Sequence, residues 1–113
     1  MSGVPTFMEL GVPDAEKARD FYSAVFPAWN WGPKPNGFRV HTDTVTAGIH
    51  GGDDTRELVV YLSVDNIDEA VKRIRDAGGE ADAIMDGGPQ YGRFAECKDN
   101  QGVSFGVHEP PAS

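Results

Sequence analysis

Two hydrophobic periods alternate along this chain. Residues 59–64 are rich in β-branched and aromatic side chains, the composition of a half-buried strand. Asp65 or Asn66 can then cap a helix, because a short side-chain oxygen accepts from the free N–H groups of a first turn. Ile67, Ala70, Val71 and Ile74 recur at i, i+3, i+4 and i+7, which is one apolar helical stripe. Gly78 and Gly79 close it, since glycine tolerates the left-handed backbone that ends a helix.

The same pattern stands near the start. Residues 6–12 read as a strand, Asp14 as a cap, and Ala18, Phe21, Tyr22 and Val25 as the apolar stripe of a helix stopped by Pro27. Leu10-Gly-Val-Pro-Asp14 aligns with Leu62-Ser-Val-Asp-Asn66, an internal repeat carried by pattern more than by identity. Shorter β-like pieces follow each helix. They fall at 29–31, 38–41 and 45–50 in the first half, with turns at 32–37 and 42–44. In the second half a strand is expected at 80–84, a loop at 86–92, and a hairpin of 93–98 with 103–108 about Asp99-Asn-Gln-Gly102. Each half is therefore expected to be βαβββ, and residues 109–113 a frayed tail.

Composition narrows the function classes. The chain has 113 residues, one domain's worth or two half-domains sharing a core, with 39% hydrophobic and 25% charged residues, ordinary for a soluble protein. Lysine and arginine number 10 against 18 acids, and the net charge of −8 argues against nucleic acid as a partner while favouring cationic ligands at low salt. No apolar run approaches the ~20 residues that span a bilayer, and residues 1–6 lack the basic start and apolar core of a signal peptide. A single cysteine, Cys97, rules out an internal disulfide. The expectation is a cytoplasmic protein with neither nucleic acid nor membrane as partner, and Cys97 acting as a small apolar residue.

Several motifs now stand together: Leu10-x-Val12-x-Asp14 leading to Phe21-Tyr22, and Leu62-Ser-Val64-Asp65 leading to Ala77-Gly-Gly79. Gly92-Arg-Phe-Ala95 and Asp99-Asn-Gln-Gly102 before Phe105-Gly-Val107 complete the set. With these motifs the chain resembles the vicinal oxygen chelate superfamily, which includes glyoxalase I, extradiol dioxygenases and bleomycin-resistance proteins, and within it the small glyoxalase-like proteins. The resemblance implies an α+β fold of two βαβββ modules whose mixed sheets curl into a cup, commonly completed in a homodimer. It implies one glyoxalase-like domain over residues 1–113, with repeat halves at about 5–52 and 57–109. Enzymes of the superfamily place four metal ligands, usually His or Glu, on inward-facing strand positions, and the cation acts as a Lewis acid.

Carried over by the motifs, three of those ligand positions fall on Phe7, Val59 and Gly106, none of which binds a metal through its side chain. The fourth falls near residues 47–50, where His50 alone is of ligand type. The expectation is that the standard metal site is absent and that the protein uses no cofactor. Strand alternation extends the inward face from these anchors: Phe7 brings Glu9 and Gly11, Val59 brings Tyr61 and Ser63, and Gly106 brings Ser104 and His108. Aromatic walls with a few polar groups suit an amphipathic small molecule.

Glu9 could act as a base, anchor a cation, or be an ordinary strand carboxylate. Tyr61 could donate to a ligand or simply pack. Trp29 and Trp31 could stack on a ligand or form a dimer contact, and the Gln90-Tyr91-Gly92 loop could close over the pocket. The function these residues suggest is metal-free binding, even sequestration, of a small organic ligand such as an antibiotic. The alternatives are a lyase or isomerase using Glu9 or His108 as base, a displaced divalent metal held by His41, His50 or His108 with Glu9 or Glu96, and a homodimer acting only through partners.

Overall fold

The computed structural model describes residues 3–111 and divides into two compact units: Phe7–Val59, and the residues before it together with those from Val60 onward. The elements run β1 (Pro5–Gly11), α1 (Ala15–Val25), β2 (Asn30–Lys34), β3 (Gly37–His41), β4 (Thr46–His50), β5 (Glu57–Ser63), α2 (Ile67–Asp76), β6 (Glu80–Ala81), β7 (Met85–Asp86), β8 (Arg93–Lys98) and β9 (Ser104–Glu109). The α+β class expected from the sequence is the one found. β5 begins 52 residues after β1, and α2 begins 52 residues after α1.

In the Phe7–Val59 unit the strand order is β2-β3-β4-β1, antiparallel except for the parallel pair of β1 with β4. Asp14 caps α1 from an extended backbone, its carboxylate accepting from the Lys17 N–H at 3.1 Å. The α1 side of the half-sheet buries Val40, Ala47 and Ile49, with Met8, Leu10, Val12, Ala15, Ala18, Trp29 and Trp31 packed against them. The expected α1 stripe is only partly the buried one. Ala18 meets the core, but Phe21 is 62% exposed and Val25 49% exposed. Tyr22 stacks on Trp29 and Phe26 stacks on the same indole, so aromatic rings occupy the space under the end of the helix. The expected turn at 32–37 shrinks to Pro35-Asn36, because β2 runs through Pro33 to Lys34 and pairs with Gly37. Pro33 is tolerated because β2 is an edge strand, and Asn36 supplies the positive φ of 62°.

In the second unit the order is β5-β9-β8-β6, with β7 also on β8; β5 and β9 are parallel and the other pairs antiparallel. Asn66 caps α2, accepting from the Glu69 N–H at 3.1 Å. Ile67, Ala70 and Val71 are buried against Val64, Ala95, Cys97 and Val107, with Ile74 partly buried beside them, so this stripe lies where periodicity puts it. Gly78 takes the left-handed φ of +95° past the helix end. The expected strand at 80–84 is instead two stubs, β6 and β7, with residues 82–84 between them. Glu109 is not part of a loose tail. It ends β9, its carboxylate accepts from the Ile67 N–H at 3.0 Å, and it pairs with Arg93 at 3.1 Å. Residues 112–113 of the expected tail lie outside the described residues.

Ile67 is fully buried at the start of α2. Ile67→Ala should lower the unfolding free energy by about 2–5 kcal/mol, and Asn66→Ala by about 1 kcal/mol, in urea titrations followed by far-UV circular dichroism.

Candidate functional site

The Phe7–Val59 half-sheet has a second face, pointing away from α1, and its composition is different. Register places Phe7 beside Thr46, Glu9 beside Gly48, and Gly11 beside His50; Gly48 in turn is beside Arg39, and His50 beside Gly37. Lys34 joins this face through its pairing with Gly37. Charged side chains therefore stand among bare glycines. A Cβ built at Gly11 would lie 2.9 Å from His50 Nε2 and collide with the Asp53 carboxylate. One built at Gly48 would lie 2.6 Å from Lys34 Nζ and collide with Glu9 Oε1. The glycines keep room for the charged groups to meet.

What meets there is a histidine held between two carboxylates. His50 Nδ1 lies 2.5 Å from Glu9 Oε2, and Nε2 lies 2.7 Å from Asp53 Oδ2. Carboxylates accept only, so both ring nitrogens donate and the ring is imidazolium. The bond to Glu9, aided by that to Asp53 and opposed by partial burial, raises the His50 pKa above its ordinary value of 6.5. Asp53 accepts from the Thr55 hydroxyl at 2.6 Å and the Thr55 N–H at 2.9 Å, and these bonds with that from His50 lower its pKa to about 2. Lys34 Nζ approaches both Glu9 oxygens at 3.4 Å. The result is an ordered, charge-alternating chain, Lys34–Glu9–His50–Asp53, across the strands.

In the second unit, Tyr61 pairs in register with Gly106, which pairs in turn with Glu96, and Ser63 pairs with His108, which pairs with Phe94. Tyr61, Ser63, Gly106, His108 and Ser104 thus share the face turned away from α2, as alternation predicts. Val59, two residues before Tyr61 on β5, has the same parity and is buried, as are Tyr61 and Ser63. His108 differs from His50 in every respect. Its Nε2 lies 2.5 Å from the Tyr91 carbonyl and its Nδ1 3.1 Å from the Thr6 hydroxyl. A carbonyl cannot donate, so Nε2 holds the proton and Nδ1 accepts from Thr6. Burial pushes the His108 pKa below its ordinary value, so the ring is neutral.

No protein-family model matches the chain, and no curated protein matches it. Solved structures do. A hypothetical protein from Bacillus halodurans superposes with a TM-score of 0.70 at 10% identity, covering 96% of this chain and 95% of that one. Methylmalonyl-CoA epimerase from Streptomyces coelicolor, in complex with 2-nitronate-propionyl-CoA, gives 0.67 at 13% identity over 99% of this chain and 97% of that one. The Mycobacterium tuberculosis epimerase gives 0.68 at 16% identity over 99% and 92%. These epimerases are vicinal oxygen chelate proteins. The fold of this chain is the vicinal oxygen chelate fold.

The metal implied by that fold can be tested against the side chains present. Phe7, Val59 and Gly106, the residues on which the resemblance puts three ligand positions, offer no donor. At Gly106 there is also no room, because a Cβ there would run into the Tyr61 ring. His50, the residue of ligand type near the fourth position, has both nitrogens engaged by carboxylates. Among the described residues no group of three or more His, Cys, Asp or Glu is arranged to hold a metal ion. The residues do not fit the metal.

Other sequence candidates fall elsewhere. Trp29 and Trp31 lie on the α1 side of their half-sheet, opposite Glu9, in a row of rings from Phe26 through Trp29 and Trp31 to Phe38. Alternation explains it, since Trp31 pairs with Val40, a core residue. Trp31 Nε1 is buried there without a hydrogen-bond partner. Tyr91 is on the 87–92 loop, tied to His108 through its carbonyl. Cys97 is buried, and desolvation pushes its thiol pKa up to about 11, which makes it a poor nucleophile. Sequence reasoning passed over Lys34 and Asp53. The signals were present: Asp53-x-Thr55 is a side-chain-to-backbone turn pattern, and glycines inside strands mark close approach.

Histidine NMR titration should place the His50 midpoint above 6.5 and the His108 midpoint below it, with Glu9→Gln moving His50 back down. The sign for stability follows. The His50 contribution is complete below about 6.5 and is lost as pH rises through its folded value, while the Asp53 contribution is present above 3.8 and is lost as pH falls through about 2. Gly106→Ala should destabilise by about 1–3 kcal/mol in urea unfolding, and adding Tyr61→Ala should reduce the further loss below that of Tyr61→Ala in the wild-type background.

Proposed function

We propose that this chain is a small-molecule-binding protein on the vicinal oxygen chelate scaffold, working without the divalent metal typical of that fold. The observation that carries the reading is the fate of the ligand positions: Phe7 and Val59 are apolar, and Gly106 is overlain by the Tyr61 ring. Metal-centred chemistry of the usual kind would need donors where this chain has hydrocarbon. The polar face with Glu9, Lys34 and His50, adjoining Phe7, supports an amphipathic organic ligand, with apolar area for affinity and a few fixed charges for orientation. Sequestration rather than turnover is favoured because the candidate bases are occupied: His50 is doubly protonated, Glu9 is bonded to it, and His108 Nδ1 faces the Thr6 hydroxyl.

Catalysis is the second reading, and one observation favours it. The 2.5 Å contact between Glu9 and His50 is a held proton beside a carboxylate, the pairing an isomerase or lyase would use to move a proton. The epimerases that share the fold bind thioester substrates by name, but at 13–16% identity they speak only for the architecture.

The test is made on purified, dialysed protein. Elemental analysis should find divalent metal well below one equivalent, and a thermal-shift screen of amphipathic small molecules should raise the melting temperature, an effect lost in Phe7→Ala and Glu9→Gln. Stoichiometric zinc, nickel, iron or manganese would overturn the reading. Conversion of the stabilising compound into a product would move the assignment to the enzyme.

A further inference from the structure

We propose that the Lys34 ammonium is the anion-binding point of the polar face, and that the ligand it takes is a small organic carboxylate. This rests on the reading of the chain as a small-molecule binder and names the chemical class of what is bound.

Lys34 is four-fifths buried at its side chain and is therefore partly stripped of water. Its charge is answered only loosely in return. The ammonium has three donors, yet its hydrogen bonds are the two 3.4 Å approaches to Glu9, longer than the roughly 2.7–2.9 Å of a good charge-assisted bond. The cause is on the same carboxylate: Glu9 Oε2 is already drawn to 2.5 Å by the His50 imidazolium, which is itself fixed from behind by Asp53. Glu9 is thus committed to His50, and Lys34 is left with donor capacity in a half-desolvated place.

The floor beneath it is glycine. A Cβ at Gly48 would come 2.6 Å from Nζ, so the ammonium rests directly over that glycine, beside Glu9. Gly32, on the same face, would meet nothing within 4 Å of a Cβ. The Lys34 side chain keeps 20% of its surface exposed, and that is where a ligand group would meet it. Arg39, in register with Gly32 and Gly48, is the other basic residue of this face. Phosphate is held by denser sets of donors, such as a helix N-terminus or a nest of backbone N–H groups, which this strand face does not present. A carboxylate needs few donors, and Phe7, two residues along β1 from Glu9, offers an apolar surface for the body that carries it.

The experiment is a titration of the full chain with benzoate, benzamide, benzylamine and inorganic phosphate, followed by backbone amide NMR. Benzoate should give saturable shifts at Lys34, Gly48 and Glu9, and benzamide should bind roughly tenfold or more weakly. Lys34→Met should remove that preference and Lys34→Arg should keep part of it, with unchanged spectra elsewhere showing that both variants fold. Gly48→Ala should weaken benzoate by covering Nζ. Benzamide, benzylamine or phosphate binding at these amides as well as benzoate would overturn the carboxylate assignment and leave small-molecule binding standing. Undiminished preference in Lys34→Met would overturn the role of Lys34. Absence of saturable shifts on this face with all four probes would overturn the proposal, and thermal-shift hits elsewhere would then decide the broader reading separately.

Discussion

A strand has two faces and a period of two, so every second residue answers to a different environment. In both units of this protein the same solution is used: a helix lies on one face of a small mixed sheet and the apolar half of the alternation packs beneath it. Val40, Ala47 and Ile49 do this under α1, and Ala95, Cys97 and Val107 under α2. Once those positions are fixed to the helix side, Glu9, His50 and Lys34 in one unit, and Tyr61, Ser63 and His108 in the other, have no choice of side. The chemistry-bearing face is set by burial on the opposite one.

Because that logic is local, much of it was legible in the sequence. The α2 stripe and both caps follow from spacing and side-chain chemistry, and so does the shared parity of Tyr61, Ser63, Gly106 and His108. What was not legible depended on competition between side chains from different elements. Nothing in the spacing of Phe21 and Val25 says that Trp29 will lie against Tyr22 and Phe26 and leave both exposed. Likewise, Trp31 could be placed on a ligand or in the core until its register with Val40 was known. The charged chain was half visible. Glu9 and His50 stood out, but their partners did not, because Lys34 sits in what reads as a Pro/Gly turn and Asp53 in a polar loop.

Glycine gives the polar face its shape. Gly11 and Gly48 have ordinary strand conformations, so their value here is the missing side chain rather than backbone freedom. In a strand such residues weaken pairing and packing, and they persist where another group needs the space. At both positions the group is ionic: His50 with Asp53 at one, Glu9 with Lys34 at the other. Gly106 follows the same rule with a different tenant, the Tyr61 ring. One fold position thus serves either to clear room for charge or to seat an aromatic, and at Gly106 the second choice closes off any coordinating side chain.

Stability alone does not account for the ionic chain. Two acids and two bases drawn partly out of water carry a desolvation cost that their mutual attraction only roughly offsets, and apolar residues of similar volume generally do as well or better. Exposed ion pairs elsewhere, such as Arg73 with Glu69 on α2, carry no such cost and need no special setting. The Glu9–His50–Asp53 chain has three partly buried members, two cleared glycines and a turn at Thr55 that fixes its end. That order holds a carboxylate and an imidazolium in fixed positions on the side of the sheet away from the core. Fixed charges of this kind matter most to something that arrives from outside, which is why the ligand we propose is assigned to the polar face and not to the larger aromatic cluster under α1.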